Sequence, residues 1–366
     1  MIYLDHAATT PIKDEVLEAM MPYLKEDYGN ASSIYTLGRA SRKAIEHARE
    51  QIASVINADP EEIYFTSGGT ESNNWALSKP VVLTSRIEHP SVLKRGYGEG
   101  VEVYASGIID TSHLKEKLAA GIQFYEVVSI QMANNEIGTI QPVEEISHLC
   151  RRYGMCFHTD AVQAFGHIPI DVKAMGIDML SASAHKFGGP KGVGFLYVRE
   201  ERHIVPFMLG GHQEKGLRAG TENVAGIVGM GVAAEIANKT MEARAAKERA
   251  VQALMIKRLT EEIPDVRING TRDEKHRLPN NINITIDGVE GQTLVQALDN
   301  MGICISAGSA CNSESLEPSH VLKAIGLTDE QALNTVRITV SDTTRIQEAH
   351  YTVDAIKKCV ERLRKF

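Results

Sequence analysis

The loop at residues 183–194 constrains the fold more than any other stretch of this 366-residue chain. Its sequence is Ser-Ala-His-Lys-Phe-Gly-Gly-Pro-Lys-Gly-Val-Gly, and it lies between two apolar runs at residues 177–182 and 195–198. Apolar runs of this length predict short buried strands, and the glycine-rich piece between them predicts a connecting loop. Lys186 is thereby placed at the end of a buried strand, where the loss of water disfavours a charged amine. A lysine in such a place is suited to forming a Schiff base.

An aspartate occupies a similar place earlier in the chain. Asp160 follows the apolar residues 155–157 after only two positions, so it too is predicted at the end of a strand. An aspartate that binds a pyridinium nitrogen and a lysine that forms an imine are the two protein groups that pyridoxal phosphate (PLP) most requires. Either residue alone is also common without that role, the lysine in a solvated loop and the aspartate in a turn. A PLP site is therefore a hypothesis that the remaining loops must decide.

Composition and charge exclude several classes of protein. The length predicts two or three domains, and 43% apolar with 23% charged residues is ordinary for a globular enzyme. A net charge of −8 without a long basic run argues against nucleic acid or an anionic membrane as the main partner. The sequence predicts neither an export signal nor a membrane-spanning segment. The five cysteines are irregularly spaced, which favours free thiols in the cytoplasm over disulfides or a metal site.

Strands and helices alternate through the first half of the chain. Strands are predicted at residues 63–66, 81–84, 101–104 and 127–130, with helical spacing or loops between them. This alternation favours an α/β fold with a parallel sheet. In such folds, ligand-binding groups gather at the carboxyl ends of the strands.

Polar loops follow three of these strands. The Gly-Gly-Thr run at residues 68–70 comes before a predicted helix, and glycine turns at helix N-termini bind anions such as phosphate. Such turns are also common without a ligand, so this loop alone leaves both interpretations open. His89, just past the next strand, is placed to stack on a planar cofactor or to shuttle protons, although a histidine there is more often structural. The loop at residues 134–138 offers amide groups to a ligand.

The second half of the chain predicts a smaller domain. A long helical pattern at residues 225–263 connects to it, and a strand with alternating burial follows at 281–286. We predict a large domain at residues 12–255. Residues 1–11 and 256–366 are predicted to form the small domain.

Two cysteines of the second half have different surroundings. Cys311 lies among small and polar residues at 308–313, which predicts an exposed, mobile and reactive thiol. Cys304 lies between two isoleucines, which predicts a buried and inert one.

Together these residues resemble the cysteine desulfurases, PLP enzymes of fold type I in the class V aminotransferase superfamily. The resemblance extends over essentially the whole chain and is carried by several motifs in order. They are Leu-Asp-His-Ala-Ala-Thr-Thr-Pro at 4–11, Ser-Gly-Gly-Thr-Glu-Ser-Asn at 67–73, Glu-His at 88–89, Asn-Asn-Glu-Ile-Gly at 134–138, His-Thr-Asp-Ala-Val-Gln at 158–163, Ser-Ala-His-Lys at 183–186, Arg-Ala-Gly-Thr at 218–221 and Gly-Ser-Ala-Cys at 308–311. The implied fold is an α/β fold-type-I transferase with a mostly parallel seven-stranded central sheet and a smaller α+β C-terminal domain.

The resemblance implies a set of cofactor-binding residues. These are Gly69, Thr70, His89, Asn135, Asp160, Gln163, Ser183, His185, Lys186 and Thr221. Lys186 would form the imine and carry the Cα proton, and Asp160 would hold the pyridinium nitrogen. His89 would stack on the ring, and Asn135 and Gln163 would bond its phenolic oxygen or the substrate.

The phosphate and the substrate have implied partners of their own. Thr70, Ser183 and His185 would hold the phosphate. Thr221 would reach the phosphate of a neighbouring subunit, which implies a homodimer with shared sites. Arg337 would bind the substrate carboxylate, a task suited to a bidentate guanidinium.

The implied reaction is the conversion of L-cysteine to L-alanine. Its catalytic residues would be Lys186, His89 and Cys311, with the sulfur left on Cys311 as a persulfide for an acceptor protein, such as an iron–sulfur scaffold. A related PLP lyase acting on selenocysteine or cysteine sulfinate is the alternative enzyme. A degenerate PLP-binding partner protein is the alternative from another class, and the joint presence of Lys186, Asp160, His89 and Cys311 argues against it.

Overall fold

The structure, a computed structural model, describes residues 1–78, 81–98, 100–121, 124–308 and 317–365. Its strands are β1 (Ile2–Tyr3), β2 (Ile63–Thr66), β3 (Val82–Thr84), β4 (Val127–Ser129), β5 (Cys156–Asp160), β6 (Met179–Ser183), β7 (Gly194–Val198), β8 (Val266–Ile268), β9 (Asn281–Ile286), β10 (Ile303–Cys304), β11 (Ser306–Ala307) and β12 (Thr335–Thr339). Its helices are α1 (Asp14–Lys25), α2 (Thr36–Val55), α3 (Gly69–Ala76), α4 (Pro90–Leu93), α5 (Thr111–Gly121), α6 (Val143–Arg152), α7 (Val224–Glu262), α8 (Gly291–Asp299), α9 (His320–Ala324), α10 (Asp329–Leu333) and α11 (Ile346–Leu363).

The central sheet has the strand order β2-β7-β6-β5-β4-β3. Strand β7 is antiparallel to both of its neighbours, and the other strands run in one direction. Strands β4, β6 and β7 are buried along their whole length, because helices or loops cover both faces of the sheet. The prediction of an α/β fold with a mostly parallel sheet is confirmed.

The central sheet was predicted to have seven strands. This number is wrong for the residues that the structure describes, where the sheet has six strands. Residues 101–104, predicted as a strand, make only isolated bridges, one from Val101 to Ser85 and one from Val103 to Ile109. The chain turns back at Gly107, whose φ of 78° favours glycine. This tight return draws the segment away from the edge of β3 after a single paired residue.

The order of the strands brings Asp160 and Lys186 together at one edge of the central sheet. Asp160 is the last residue of β5, and Lys186 lies in a 3-10 turn directly after β6. These strands are parallel neighbours, with Asp160 paired to Ser181. Both functional side chains therefore lie at the same carboxyl edge of the sheet, as the sequence predicted.

A second sheet forms in the C-terminal third, with the order β11-β12-β9-β8 and antiparallel pairing throughout. The amino-terminal strand joins this part of the chain, because β1 pairs in parallel with β10 through Ile2 and Ile303. Asp5 continues the contact with a bridge to Thr339 of β12.

Helix α7 connects the two sheets. It has 39 residues, which corresponds to a length of about 58 Å. Ile227 and Met230, in its first half, pack in the core around the central sheet, whereas Met255 and Leu259, in its second half, pack in the core around the second sheet. The domain boundary near residue 255 stays a prediction.

Candidate active site

One cavity of about 270 Å³ opens at the carboxyl edge of the central sheet. Small-molecule sites are commonly about 300–1,000 Å³, so its size suits a compact ligand. The loops after β2, β3, β4, β5 and β6 line it, together with the amino-terminal segment and β12. The lining residues are Ala7, Ala8, Gly69, Thr70, Asn73, His89, Gln131, Ala133, Asn135, Asp160, Val162, Gln163, Ser183, His185, Lys186 and Arg337.

The N-terminus of α3 forms one end of the cavity. Gly68 precedes it with φ of 152°, and a Cβ at Gly69 would lie only 2.6 Å from Cγ2 of Val162. Glycine therefore permits the close approach of this helix end to the loop after β5. Thr70 and Ser183, which both carry hydroxyl groups, line the same cavity as this helix N-terminus with its partial positive charge. Such a set suits a phosphate group.

His185 adds a neutral ring to this end of the cavity. Burial lowers its pKa to about 4, and the nearby Lys186 and Lys191 act in the same direction. Its Nδ1 lies 3.1 Å from Oγ1 of Thr9. The imidazole is therefore uncharged at neutral pH and serves as a hydrogen-bonding group.

Asp160 presents a carboxylate from the end of β5 and is only 7% exposed. Its Oδ1 accepts a hydrogen bond from the Val162 amide over 2.9 Å, and its Oδ2 accepts one from Nδ2 of Asn73 over 2.6 Å. These two donors fix the carboxylate plane. The negative charge is thus held at the cavity wall, where it can pair with a protonated ring nitrogen.

Lys186 reaches the amino-terminal segment. Its Nζ donates to the carbonyls of Ala7 over 2.6 Å and Ala8 over 2.7 Å. The backbone of the same lysine is held from behind, where Nε2 of His167 lies 3.1 Å from the Lys186 carbonyl. Gln163 donates from Nε2 to the same Ala7 carbonyl over 2.9 Å, so the lysine amine and this amide share an acceptor.

His89 caps the short helix α4. Its Nδ1 accepts a hydrogen bond from the Ser91 amide at 3.2 Å and lies 2.7 Å from Oγ of Ser91. Burial lowers the pKa of His89, with Asp160 opposing and Lys186 reinforcing that effect. The ring is therefore neutral where it lines the cavity.

Arg337 projects from β12 into the cavity and is 2% exposed. It donates from Nη1 to the Asn135 carbonyl over 2.9 Å and from Nη2 to Oδ1 of Asp5 over 2.7 Å. Its Nε is buried without a hydrogen-bond partner among the described residues. The guanidinium lines the cavity, where its positive charge can pair with a ligand carboxylate.

For three residues that the sequence analysis singled out, the structure differs from the expectation or does not describe the residue. Thr221 is exposed and lines a separate cavity, next to Tyr28 and Asn30, so its own chain does not bring it to the site. Cys311 lies outside the described residues. Cys304, at the end of β10, is half-buried, so the prediction that it is buried was wrong. A two-residue strand paired only with β1 covers it incompletely.

The sequence analysis missed several residues of the site. Asn73 and Ser91 support Asp160 and His89, and Asp5 supports Arg337. Asn73 lies four residues after Gly69 on α3, and this helical spacing was a signal that it faces the same cavity. Asp5 offered no such signal, because its partner lies 332 residues later.

Metal and membrane features are absent from the described part of the chain. No group of three or more histidine, cysteine or acidic side chains there could hold a metal ion. In the same residues, no helix is both long and apolar enough to cross a membrane.

A model of the class V aminotransferases matches residues 2–349. The chain belongs to this family. The family's cysteine desulfurase IscS from Dictyoglomus turgidum is 46% identical, over 99% of this chain and 95% of that protein. The IscS of Methanosarcina thermophila is 42% identical, over 99% of this chain and 93% of that protein.

Solved structures of similar proteins superpose on the chain. A NifS-like protein from Rickettsia africae gives a TM-score of 0.91 with 34% identity and covers 99% of both chains. A protein named SspA, solved in complex with cysteine, gives 0.79 with 35% identity, over 94% of this chain and all of that one. Both likenesses extend over nearly the whole chain.

The cofactor of the class V aminotransferases is PLP, and the cavity fits it. The helix end with the Gly69 approach and two hydroxyls suits the phosphate, and the carboxylate of Asp160 suits the pyridinium. The amine of Lys186 lies in the same cavity. The donor set therefore matches the charges of this cofactor from one end of the cavity to the other.

Proposed function

We propose that this protein is a PLP-dependent cysteine desulfurase that converts L-cysteine to L-alanine and leaves the sulfur on Cys311. The observation that carries the proposal is a cavity holding Lys186, Asp160, His89 and Arg337 together, in a chain 46% identical to a cysteine desulfurase over 99% of its length. A similar protein was solved with cysteine bound. Cysteine is accordingly the substrate that we assign.

The residues of the cavity divide the work. PLP, when bound, supplies an electron sink for the pair left at Cα when its proton is removed. The amine of Lys186 takes this proton and returns one, since it can accept and donate at the same atom. Asp160 keeps the ring nitrogen protonated by pairing with it.

Two other groups orient the substrate. Arg337 binds its carboxylate through the guanidinium, which lines the cavity and is held by Asp5 and Asn135. His89 lines the same cavity, where its ring would stack on the cofactor when PLP is bound. Both positions depend on loops that the sheet topology brings to one edge.

The sulfur step balances as a transfer between thiols. The thiolate of Cys311 attacks the sulfur of the substrate, an S–S bond forms, and the Cβ–S bond breaks with its electron pair left on carbon. Protons then complete alanine, and the enzyme holds a persulfide. Cysteine and an enzyme thiol thus become alanine and an enzyme persulfide, with no external oxidant. The small residues around Cys311 support its role.

The finer assignments are also proposals. A cytoplasmic homodimer passes the persulfide sulfur to an acceptor protein, such as an iron–sulfur scaffold. Exposed apolar side chains support the second copy, because Leu24, Tyr28 and Ile34 are 58%, 71% and 89% exposed. Leu24 and Tyr28 line one cavity with Thr221, the residue expected to serve the partner.

A cysteine pulse tests the function. Purified protein with PLP should form alanine and reducible sulfur in equal amounts, and mass spectrometry without reductant should place the extra sulfur on the Cys311 peptide. Cys311→Ser should keep bound PLP but lose persulfide and nearly all alanine, because a serine hydroxyl is a poor nucleophile toward sulfur. Cys304→Ser is the matched control and should keep turnover. Full activity in Cys311→Ser would overturn the sulfur assignment.

A further inference from the structure

Four side chains form a continuous hydrogen-bonded path along one wall of the cavity. Asn73 donates from Nδ2 to Oδ2 of Asp160 over 2.6 Å and to Oγ of Ser91 over 2.9 Å. Oγ of Ser91 in turn lies 2.7 Å from Nδ1 of His89. The carboxylate expected at the ring nitrogen and the histidine expected above the ring are therefore joined through Asn73 and Ser91.

The carboxylate fixes the direction of every bond in this path. An ionised Asp160 only accepts hydrogen bonds, so the Asn73 amide must turn its NH₂ toward it and toward Ser91. In this orientation Oδ1 of Asn73 is buried without a hydrogen-bond partner among the described residues, which is unfavourable in free energy. Since Ser91 Oγ accepts from Asn73, its single hydroxyl proton is directed to His89.

Two donors then converge on one nitrogen of the histidine. The hydroxyl and the backbone amide of Ser91 both face Nδ1 of His89, at 2.7 Å and 3.2 Å. A proton on Nδ1 would face the hydroxyl proton at the shorter of these distances and the amide proton as well, so the neutral ring carries its proton on Nε2. The charged groups around the His89 ring are Asp160 and Lys186. His320 of α9 also lies within electrostatic range of His89, and Glu88 precedes His89 in the chain.

We propose that Ser91, held by Asn73, is a positioning residue that fixes His89 as its Nε2–H tautomer and so presents a proton donor to the substrate. The catalytic meaning of this inference rests on the proposed function. The tautomer itself does not, because it follows from the protein's own hydrogen bonds. Ser91 is neither a cofactor ligand nor a lining residue of the cavity.

Nitrogen NMR of the PLP-bound protein with ¹⁵N-labelled histidine tests the proposal. His89→Gln identifies the His89 signals by their loss. In the wild type, Nδ1 of His89 should show the shift of an unprotonated ring nitrogen and Nε2 that of a protonated one. Ser91→Ala removes the shorter donor and leaves only the 3.2 Å amide contact, so it should give a mixture of tautomers, and Ser91→Thr, which restores a hydroxyl, should restore the wild-type pattern.

Kinetics supply a second readout. Losing one hydrogen bond corresponds to roughly a two- to tenfold fall, which Ser91→Ala should show in kcat with KM little changed. Ser54→Ala, which removes an exposed helix hydroxyl, is the control and should change neither. A proton on Nδ1 in the wild type, or a Ser91→Ala protein with unchanged tautomer and kcat, would overturn the proposal. The expected NMR pattern without cysteine turnover would instead count against the desulfurase assignment alone.

Discussion

Arg337 and Asp5 form an ion pair of 2.7 Å between Nη2 and Oδ1, although the two residues are 332 positions apart in sequence. The side chain of Arg337 is 3% exposed and that of Asp5 is 19% exposed, so water screens this pair weakly. This pair and the bond to the Asn135 carbonyl hold the guanidinium at the cavity, and its Nε has no hydrogen-bond partner among the described residues. Asp5 thereby orients a cation that can bind a substrate carboxylate in the cavity.

Arg337→Ala should chiefly weaken capture of the substrate carboxylate. Loss of a charge-assisted contact of about 1.5–3 kcal/mol corresponds to roughly a ten- to hundredfold fall in kcat/KM. Most of it should appear in KM, while the visible absorbance of bound PLP remains. Arg337→Lys is the matched comparison, which keeps the charge without the planar fork and should recover only part of the loss. Steady-state kinetics decide, and an unchanged KM in Arg337→Ala would contradict the assignment.

Lys186→Ala should remove both the yellow colour of the purified protein and its turnover, because the cofactor loses its covalent anchor and the proton-transferring amine together. Absorbance spectra after PLP addition and alanine assays measure the two effects. Lys191, an exposed lysine of the same loop, provides the control. Lys191→Ala should stay yellow and active, and a yellow, active Lys186→Ala would refute the site.

Glu88 should make the protein less stable as the pH rises. Burial raises the pKa of this fully buried carboxyl to about 8, against hydrogen bonds from Ser85 and Gln131 that lower it. From its ordinary value up to about pH 8, the unfolded state releases the proton that the folded state retains. The free energy of unfolding therefore falls with pH, by at most about 1.4 kcal/mol per pH unit.

Glu88→Gln should reduce this pH dependence, because the amide cannot ionise. Melting temperatures between about pH 5 and pH 8 measure it. Some slope should remain, since burial also raises the pKa of Glu136 to about 7. Glu116→Gln, an exposed change on α5, should leave the wild-type slope intact. Equal slopes in Glu88→Gln and wild type would show that Glu88 is ionised in the folded protein at neutral pH.

Thr221→Ala should weaken PLP retention, and a mixing experiment tells which subunit is affected. Thr221→Ala and Lys186→Ala chains carrying different tags can be co-expressed and their hybrid dimers purified. If Thr221 acts across the interface, each hybrid has one intact site, and about half of the wild-type turnover should return. If Thr221 acts in its own subunit, the hybrid should be no better than Thr221→Ala protein. A monomer in sedimentation would contradict the shared site altogether.

The sequence located the residues that follow strands, and the reason is geometric. Parallel strands end at one edge, so Asp160 and Lys186 could be placed together from their strands alone. Hydrogen bonds between neighbouring elements could not be predicted from the sequence, because the contact of Asn73 with Ser91 depends on how α3 packs against α4. No spacing in the chain encodes that distance.

Edges of the fold were also harder to predict than its centre. The run at Val101 has the apolar pattern of a strand, but pairing at an edge depends on the return at Gly107 as much as on that pattern. Cys304 was misjudged for a similar reason. Its isoleucine neighbours indicated burial, whereas its strand has only two residues and leaves it partly exposed.

The parallel pairing of β1 with β10 has a consequence for how the chain is made. Ile2 leaves the ribosome early, yet its partner Ile303 follows some 300 residues later, a delay on the order of 15–60 s at ordinary rates of synthesis. Ala7 and Ala8, whose carbonyls accept hydrogen bonds from the Lys186 amine, belong to the same N-terminal segment. The central sheet can thus form during synthesis before Lys186 has these acceptors. The active site becomes complete only after β10 has been made and β1 has paired with it.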